Sequence, residues 1–166
     1  MSCAPFFSLF AVLLFVAGPE RFEEEMDESS LPAKARTILE KAEQLELYSL
    51  DPVQAKKDDS FRGWKVLGKT TVKGDAARKQ IVNPLLEGIA KSDGGARCFI
   101  PRHGIRATFD GKTVDLVICF ECSWVYVFYD KDEKRQASVA TAPSPQPSFD
   151  GVLAEAKVAL PKPAKK

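Results

Sequence analysis

The sequence predicts an α+β domain: one antiparallel sheet of four to five strands with a central hairpin, and helices packed on it. Three observations predict this class. Apolar residues recur at helical spacing in segments 31–44 and 75–91, they alternate at strand spacing elsewhere, and Asp110-Gly111 lies between two extended runs as a hairpin turn. The resulting order is α-β-β-α-β-β-(β)-α, with a single domain over residues 31–160.

Ser30 and Pro32 mark a helix start, and Leu31, Ala35, Ile38, Ala42 and Leu45 follow at three- and four-residue spacing, which predicts an amphipathic helix over 31–44. Leu45 to Leu50 alternates and ends at Asp51-Pro52, the pattern of a short strand. Residues 54–60 are polar and read as loop. Trp64 to Val72, with its β-branched Thr70-Thr71-Val72 end, is a second strand. Asp75 is placed to cap a helix over 75–91 whose apolar face holds Ala77, Ile81, Leu85 and Ile89. Pro84 inside that helix predicts a kink, and residues 92–95 end it.

Residues 96–130 form the hairpin. In its second arm Leu116, Ile118, Phe120, Cys122, Trp124, Tyr126 and Phe128 occupy alternate positions, which predicts one long strand with a single apolar face. A two-residue turn pairs Phe109 with Lys112, and it then sets Ile105 opposite Leu116 and Arg106 opposite Asp115. Residues 133–141 offer a further strand. Pro143, Pro145 and Pro147 break the chain, and Ser148 starts a last helix through Phe149, Val152, Leu153 and Ala156.

The balance of 24 Lys+Arg against 23 Asp+Glu leaves a formal charge of +1, so no net field favours nucleic acid or an anionic membrane. Residues 1–18 read as a signal peptide or N-terminal anchor. The uncharged run 4–18 is too short to span a bilayer, and Val16 and Gly18 are small residues at the −3 and −1 positions of a cleavage site. Pro19 and the lack of Lys or Arg before the run depart from that pattern. An acidic spacer over 19–30 and a basic tail over 161–166 flank the domain. The address is export, periplasmic or extracellular, with membrane contact only through residues 4–18 if they stay uncleaved.

Removal of the leader takes Cys3 and leaves Cys98, Cys119 and Cys122, all within 25 residues of one another and of His103, the sole histidine. Three states compete for them. A one-residue bulge at Gly104 would set Cys98 opposite Cys122 for a disulfide, leaving Cys119 free near His103. Cys98, His103, Cys119 and Cys122 would otherwise be the ligands of a tetrahedral zinc, the one cofactor the sequence suggests. Regular strands oppose the zinc set, because they hold Cys98 and Cys119 ~13 Å apart. The third state is reduced thiols in the core. Cys-x-x-Cys redox catalysis wants a helix N-terminus, and this motif falls in a strand pattern. Arg102 and Arg106 are expected to pair with Asp115 and Glu121 as polar support for the cluster.

Arg102-His103-Gly104-Ile105-Arg106 resembles the Arg-His-Gly-x-Arg signature of histidine acid phosphatases, which would make His103 a phosphorylated nucleophile between two phosphate-binding arginines. Thr108 stands where that family has proline, and the chain holds no second histidine. The wider pattern, Cys98-Phe-Ile-Pro-Arg-His-Gly-Ile-Arg106 followed by Cys119-Phe-Glu-Cys122, is similar to a hairpin of uncharacterised bacterial exported proteins. That resemblance implies no activity and groups Cys98, His103, Cys119 and Cys122 into one unit.

Trp124, Tyr126 and Phe128 read as core, since no basic stripe accompanies them. Tyr48, Phe61 and Trp64 either rim a binding face or pack on helix 75–91. The sequence thus points to a non-enzymatic exported binding or structural module with a cysteine-stabilised hairpin and a protein or small-molecule partner. The alternative is a zinc-binding or thiol-dependent protein using Cys98, His103, Cys119 and Cys122.

Overall fold

The computed structural model describes residues 30–55 and 60–161, so the expected leader, nearly all of the acidic spacer and residues 162–166 of the basic tail lie outside the described residues. The elements are α1 (Ala33–Lys41), β1 (Gln44–Gln54), β2 (Ser60–Phe61), β3 (Trp64–Lys73), α2 (Asp75–Ala90), β4 (His103–Phe109), β5 (Lys112–Cys119), β6 (Trp124–Tyr129), β7 (Ala137–Ala140) and α3 (Gln146–Glu155). They form a mixed α+β fold on one antiparallel sheet, ordered β2-β3-β1-β4-β5-β6-β7. Among the described residues seven strands replace the expected four to five. One extra strand, Ser60–Phe61, is too short to show a period; the other arises because the long run after Asp110-Gly111 is two strands.

That division changes which side chains face which way. Cys119 pairs with Trp124 across a turn of residues 120–123, in which Ser123 has φ 59°. An even number of turn residues inverts the alternation. Leu116 and Ile118 therefore share the helix-covered face with Val125 and Val127, whereas Trp124, Tyr126 and Phe128 lie on the opposite face with Val117. The expected single apolar face is two apolar faces joined at a turn. Without Gly or Pro, this turn is held from within and from outside: Cys119 Sγ accepts the Cys122 N–H at 3.1 Å across it, and Cys122 O accepts the N–H of the distant Ala96 at 2.9 Å.

The hairpin ahead of it follows the expected register, with Phe109 opposite Lys112, Ile105 opposite Leu116 and Arg106 opposite Asp115. Asp110 and Gly111 both have positive φ, 50° and 68°, the pair of left-handed residues that a tight two-residue turn requires. Gly104 makes no bulge. It pairs regularly with Val117, and its missing side chain admits the Phe61 ring, which would lie 2.6 Å from a Cβ there.

Helices cover one face. Ala35, Ile38 and Leu39 of α1, Ile81, Val82, Leu85 and Ile89 of α2, and Phe149 and Leu153 of α3 are buried on Leu45, Leu47, Ile105, Leu116, Ile118 and their neighbours. Tyr48, Leu50, Phe61, Val117 and Phe128 form a second core on the other face, flanked by Trp64, Phe99 and Tyr126. Packing of Tyr48, Phe61 and Trp64 on helix 75–91 is thereby corrected: the sheet separates them from α2.

Two pieces of chain close this second face. β1 pairs with β3 through register shifts at Ser49/Leu50 and Asp51/Gln54, and Pro52, which has no N–H to give a ladder, sits in the second shift. β1 thus runs past the expected end at Asp51-Pro52. The β2–β3 tip comes to rest across the sheet, with Phe61 stacked on Tyr48 at 4.2 Å and Arg62 bonded to Asp115 on β5. The segment between α2 and β4 covers the remainder, with Phe99 stacked on Tyr126 at 3.6 Å.

Smaller corrections concern helix ends. α1 is shorter than 31–44. Gly74, not Asp75, occupies the cap of α2, and Asp75 pairs with Arg78 and Lys79. α2 continues through Pro84 as one helix. α3 begins at Gln146 and takes Pro147 into its first turn, where no intrahelical partner awaits a backbone N–H, so that proline starts the helix instead of blocking it.

Asp115 is fully buried and accepts from Arg62 Nε at 2.6 Å and from Arg106 Nε and Nη2 at 2.7 and 2.6 Å. Asp115→Ala takes the carboxylate from Arg62, which is largely buried but keeps its bonds to Asp130 O and Asp132 O, and from Arg106, which reaches water, and we expect a loss of about 1–3 kcal/mol of stability, read as a drop in urea midpoint with an unchanged slope.

Candidate functional site

The cysteine cluster is built where three elements meet. β5 ends at Cys119, the turn carries Cys122 back over it, and the irregular stretch before β4 brings Cys98 alongside. Cys98 and Cys122 are joined in a disulfide with Cα atoms 5.6 Å apart. The pairing is one of the expected states, but its cause is the turn at 120–123 and not a bulge at Gly104. Loop 91–102 is thus fastened to the sheet. Trp124 Nε1 donates to Ala96 O at 2.8 Å, and the Ile100 N–H donates to Cys119 Sγ at 3.3 Å.

Cys119 is a buried free thiol. Burial pushes its pKa up, and this outweighs the two backbone N–H groups of Ile100 and Cys122 that favour the thiolate. The expected zinc set is corrected. Cys98 and Cys122 are consumed in the disulfide, and no group of three His, Cys, Asp or Glu could hold a metal among the described residues. His103 also lies on the helix-covered face, opposite to that of Cys119, so the free thiol is not beside it.

His103 is 1% exposed and sits between Phe120 and Phe149, with ring centroids at 5.3 and 5.6 Å. Its Nε2 lies 2.8 Å from Asp150 Oδ1 on α3, and Gln146 Nε2 donates to the other carboxylate oxygen at 3.3 Å. Among the described residues Nδ1 has no hydrogen-bond partner. The hydrogen bond to His103 holds the Asp150 carboxyl below its usual range, against the opposing effect of burial. Asp150 was absent from the residues singled out by sequence; only the packing of α3 on the start of β4 brings it to His103.

The phosphatase-like arrangement is not assembled. Arg106 is committed to Asp115 on the face away from His103, and Arg102 Nε lies 3.3 Å from Glu121 Oε1. These are the polar pairings expected for Arg102, Arg106, Asp115 and Glu121. Arg62 is the member that sequence reasoning missed. It adds bonds from Nη2 to Asp130 O at 2.7 Å and from Nη1 to Asp132 O, and its guanidinium lies 5.0 Å over the Phe128 ring. Its one sequence signal is Arg62-Gly63, a second turn with two positive φ values, 52° and 87°.

Two open concavities meet at Arg106. One, of about 670 Å³, is lined by Ser60, Arg62, Arg106, Asp130, Lys131 and Glu133. The other, of about 680 Å³, is lined by residues including Lys41, Glu43, Glu46, Arg106 and Phe109. Glu46 in that wall is held below the usual carboxylate range: burial raises it, but the Lys69 ammonium and the Tyr48 hydroxyl donated at 2.6 Å outweigh that.

No family model, no curated protein and no solved structure matches the chain. No helix among the described residues is long and apolar enough to cross a membrane.

Two outcomes are expected. Replacing Cys98 and Cys122 together by Ser removes a crosslink spanning 24 residues and lowers stability by about 3–4 kcal/mol, read by thermal or urea unfolding. Asp150 has a depressed folded-state pKa, so its contribution is present above the unfolded value and lost as pH falls through the folded one. Unfolding midpoints of the wild type and Asp150→Asn should therefore converge as pH drops below about 4, and differ at neutral pH.

Proposed function

We propose that this chain is a non-enzymatic binding or structural module that works in an oxidising compartment, exported to the periplasm or beyond the cell and either free or anchored by its N-terminal segment. The observation that carries the reading is the Cys98–Cys122 disulfide, which fastens loop 91–102 across an aromatic sheet face. Such crosslinks persist in oxidising compartments and are rare where thiols are kept reduced.

A binding role is supported by where the chemistry-bearing groups lie. The Cys119 thiol and the His103 imidazole are buried, whereas charged side chains gather around the two concavities at Arg106. A partner with mixed charge, a protein surface or a small molecule, fits walls that carry Lys41 and Lys131 beside Glu43 and Asp130. The near-zero formal charge gives no support to a nucleic-acid partner.

Expression of the full chain in a bacterial host, with acid trapping of thiols before fractionation, tests the reading. The chain should occur in the envelope or the medium, with Cys98 and Cys122 resistant to alkylation in denaturant until reductant is added. Cytosolic chain with both thiols reactive overturns it, as does purified chain that retains zinc and releases it on denaturation.

A further inference from the structure

We propose that Cys119 is an internal nucleophile that exchanges the Cys98–Cys122 disulfide for a Cys119–Cys122 disulfide and releases Cys98 as an accessible thiol on loop 91–102. The inference concerns the disulfide alone and stands independently of what the concavities at Arg106 bind.

The placement of the three cysteines carries it. Cys119 and Cys122 stand at the start and within one tight turn, and the Cys122 backbone nitrogen lies 3.1 Å from Cys119 Sγ, so the two residues adjoin and no loop has to close to bring them together. Two N–H groups, from Ile100 and Cys122, point at Cys119 Sγ and would stabilise the negative charge of an attacking thiolate. The third cysteine differs in exposure: Cys98 lies in an exposed stretch outside regular structure, whereas Cys119 is 1% exposed. Exchange therefore moves the anionic sulfur from a buried site to a solvated one, which favours departure of Cys98.

The step needs no oxidant. Cys119 loses its proton to solvent and attacks Cys122 Sγ; the Cys119–Cys122 bond forms as the Cys98–Cys122 bond breaks, and Cys98 leaves as a thiolate that takes a proton from solvent. Among the described residues one disulfide and one thiol exist before and after. Burial, together with Glu121, disfavours the attacking thiolate, and Arg102 opposes Glu121, so the reaction is slow at neutral pH. Its structural effect is to unfasten loop 91–102, which then rests on the Phe99–Tyr126 stack and its backbone hydrogen bonds.

The test uses the folded, non-reduced full chain carrying Cys3→Ser, which leaves Cys98, Cys119 and Cys122 as its cysteines. N-Ethylmaleimide is added under native, mildly alkaline conditions, the reaction is quenched with acid, and labelled and disulfide-linked peptides are mapped by mass. Label should accumulate on Cys98 together with a Cys119–Cys122 crosslink, and Cys119→Ser should abolish labelling of Cys98 while keeping the Cys98–Cys122 crosslink. Cys98→Ser, refolded in air, should form the Cys119–Cys122 crosslink directly. Label confined to Cys119, or none before denaturation, overturns the exchange and leaves the disulfide-based function intact. Labelling of Cys98, Cys119 and Cys122 together after denaturation without reductant overturns both.

Discussion

The buried carboxylate of Asp115 ties together parts of the chain that the sheet itself leaves apart. It sits on β5, yet one of its partners, Arg62, belongs to the β2–β3 tip, with β1 and β4 between them in strand order. Around that link gather the tip's other contacts over Tyr48, Leu50, Val117 and Phe128: the Phe61–Tyr48 stack, the bonds of Arg62 to Asp130 O and Asp132 O, and its guanidinium over Phe128. A paired ion inside a fold is weak evidence of stability gained, because desolvation offsets most of the attraction. Its value here is geometric: a fork of donors on one strand turn meets one carboxylate in one register, and the face closes in a single way.

The same need to close the second face explains the disulfide. A sheet covered by helices on one side can leave the other side polar, as alternation in antiparallel strands usually does. β6 does not allow this, since Trp124, Tyr126 and Phe128 face away from the helices while Val125 and Val127 face toward them. The stretch that covers these rings lacks regular structure and pairs with few strand backbones, so a covalent tie through Cys98 replaces the ladder hydrogen bonds it does not make.

The α+β class, the register of the hairpin at Asp110-Gly111, and the pairing of Arg106 with Asp115 were legible in the sequence because each depends on local signals: apolar period, Asp110-Gly111, and residue parity around a short turn. The break at 120–123 was not legible. No Gly or Pro announces it, and the run from Leu116 to Phe128 alternates without interruption on both sides. What makes the turn are contacts from elsewhere, Cys98 and Ala96, distant in sequence and visible only once the chain is folded. His103 shows the same limit. Its place beside Gly104 and two arginines suggested chemistry on a polar turn, whereas strand parity sends it into the helix layer, where Asp150 meets it from α3. Arg62 was invisible for the opposite reason: it lies at the tip of a strand of two residues, next to chain with no periodicity.

The two ends of the sheet bear on how molecules of this protein behave when crowded together. Beyond its short pairing with β2, the outer margin of β3 carries Lys69 and Lys73, both exposed, and Val158 after α3 lies against Gly68. The opposite margin is β7, of only four residues. The outer edge of β3 beyond Lys65 has no strand partner, and lysines along it, with a strand too brief to template a neighbour on the opposite margin, disfavour edge-to-edge growth into fibrils.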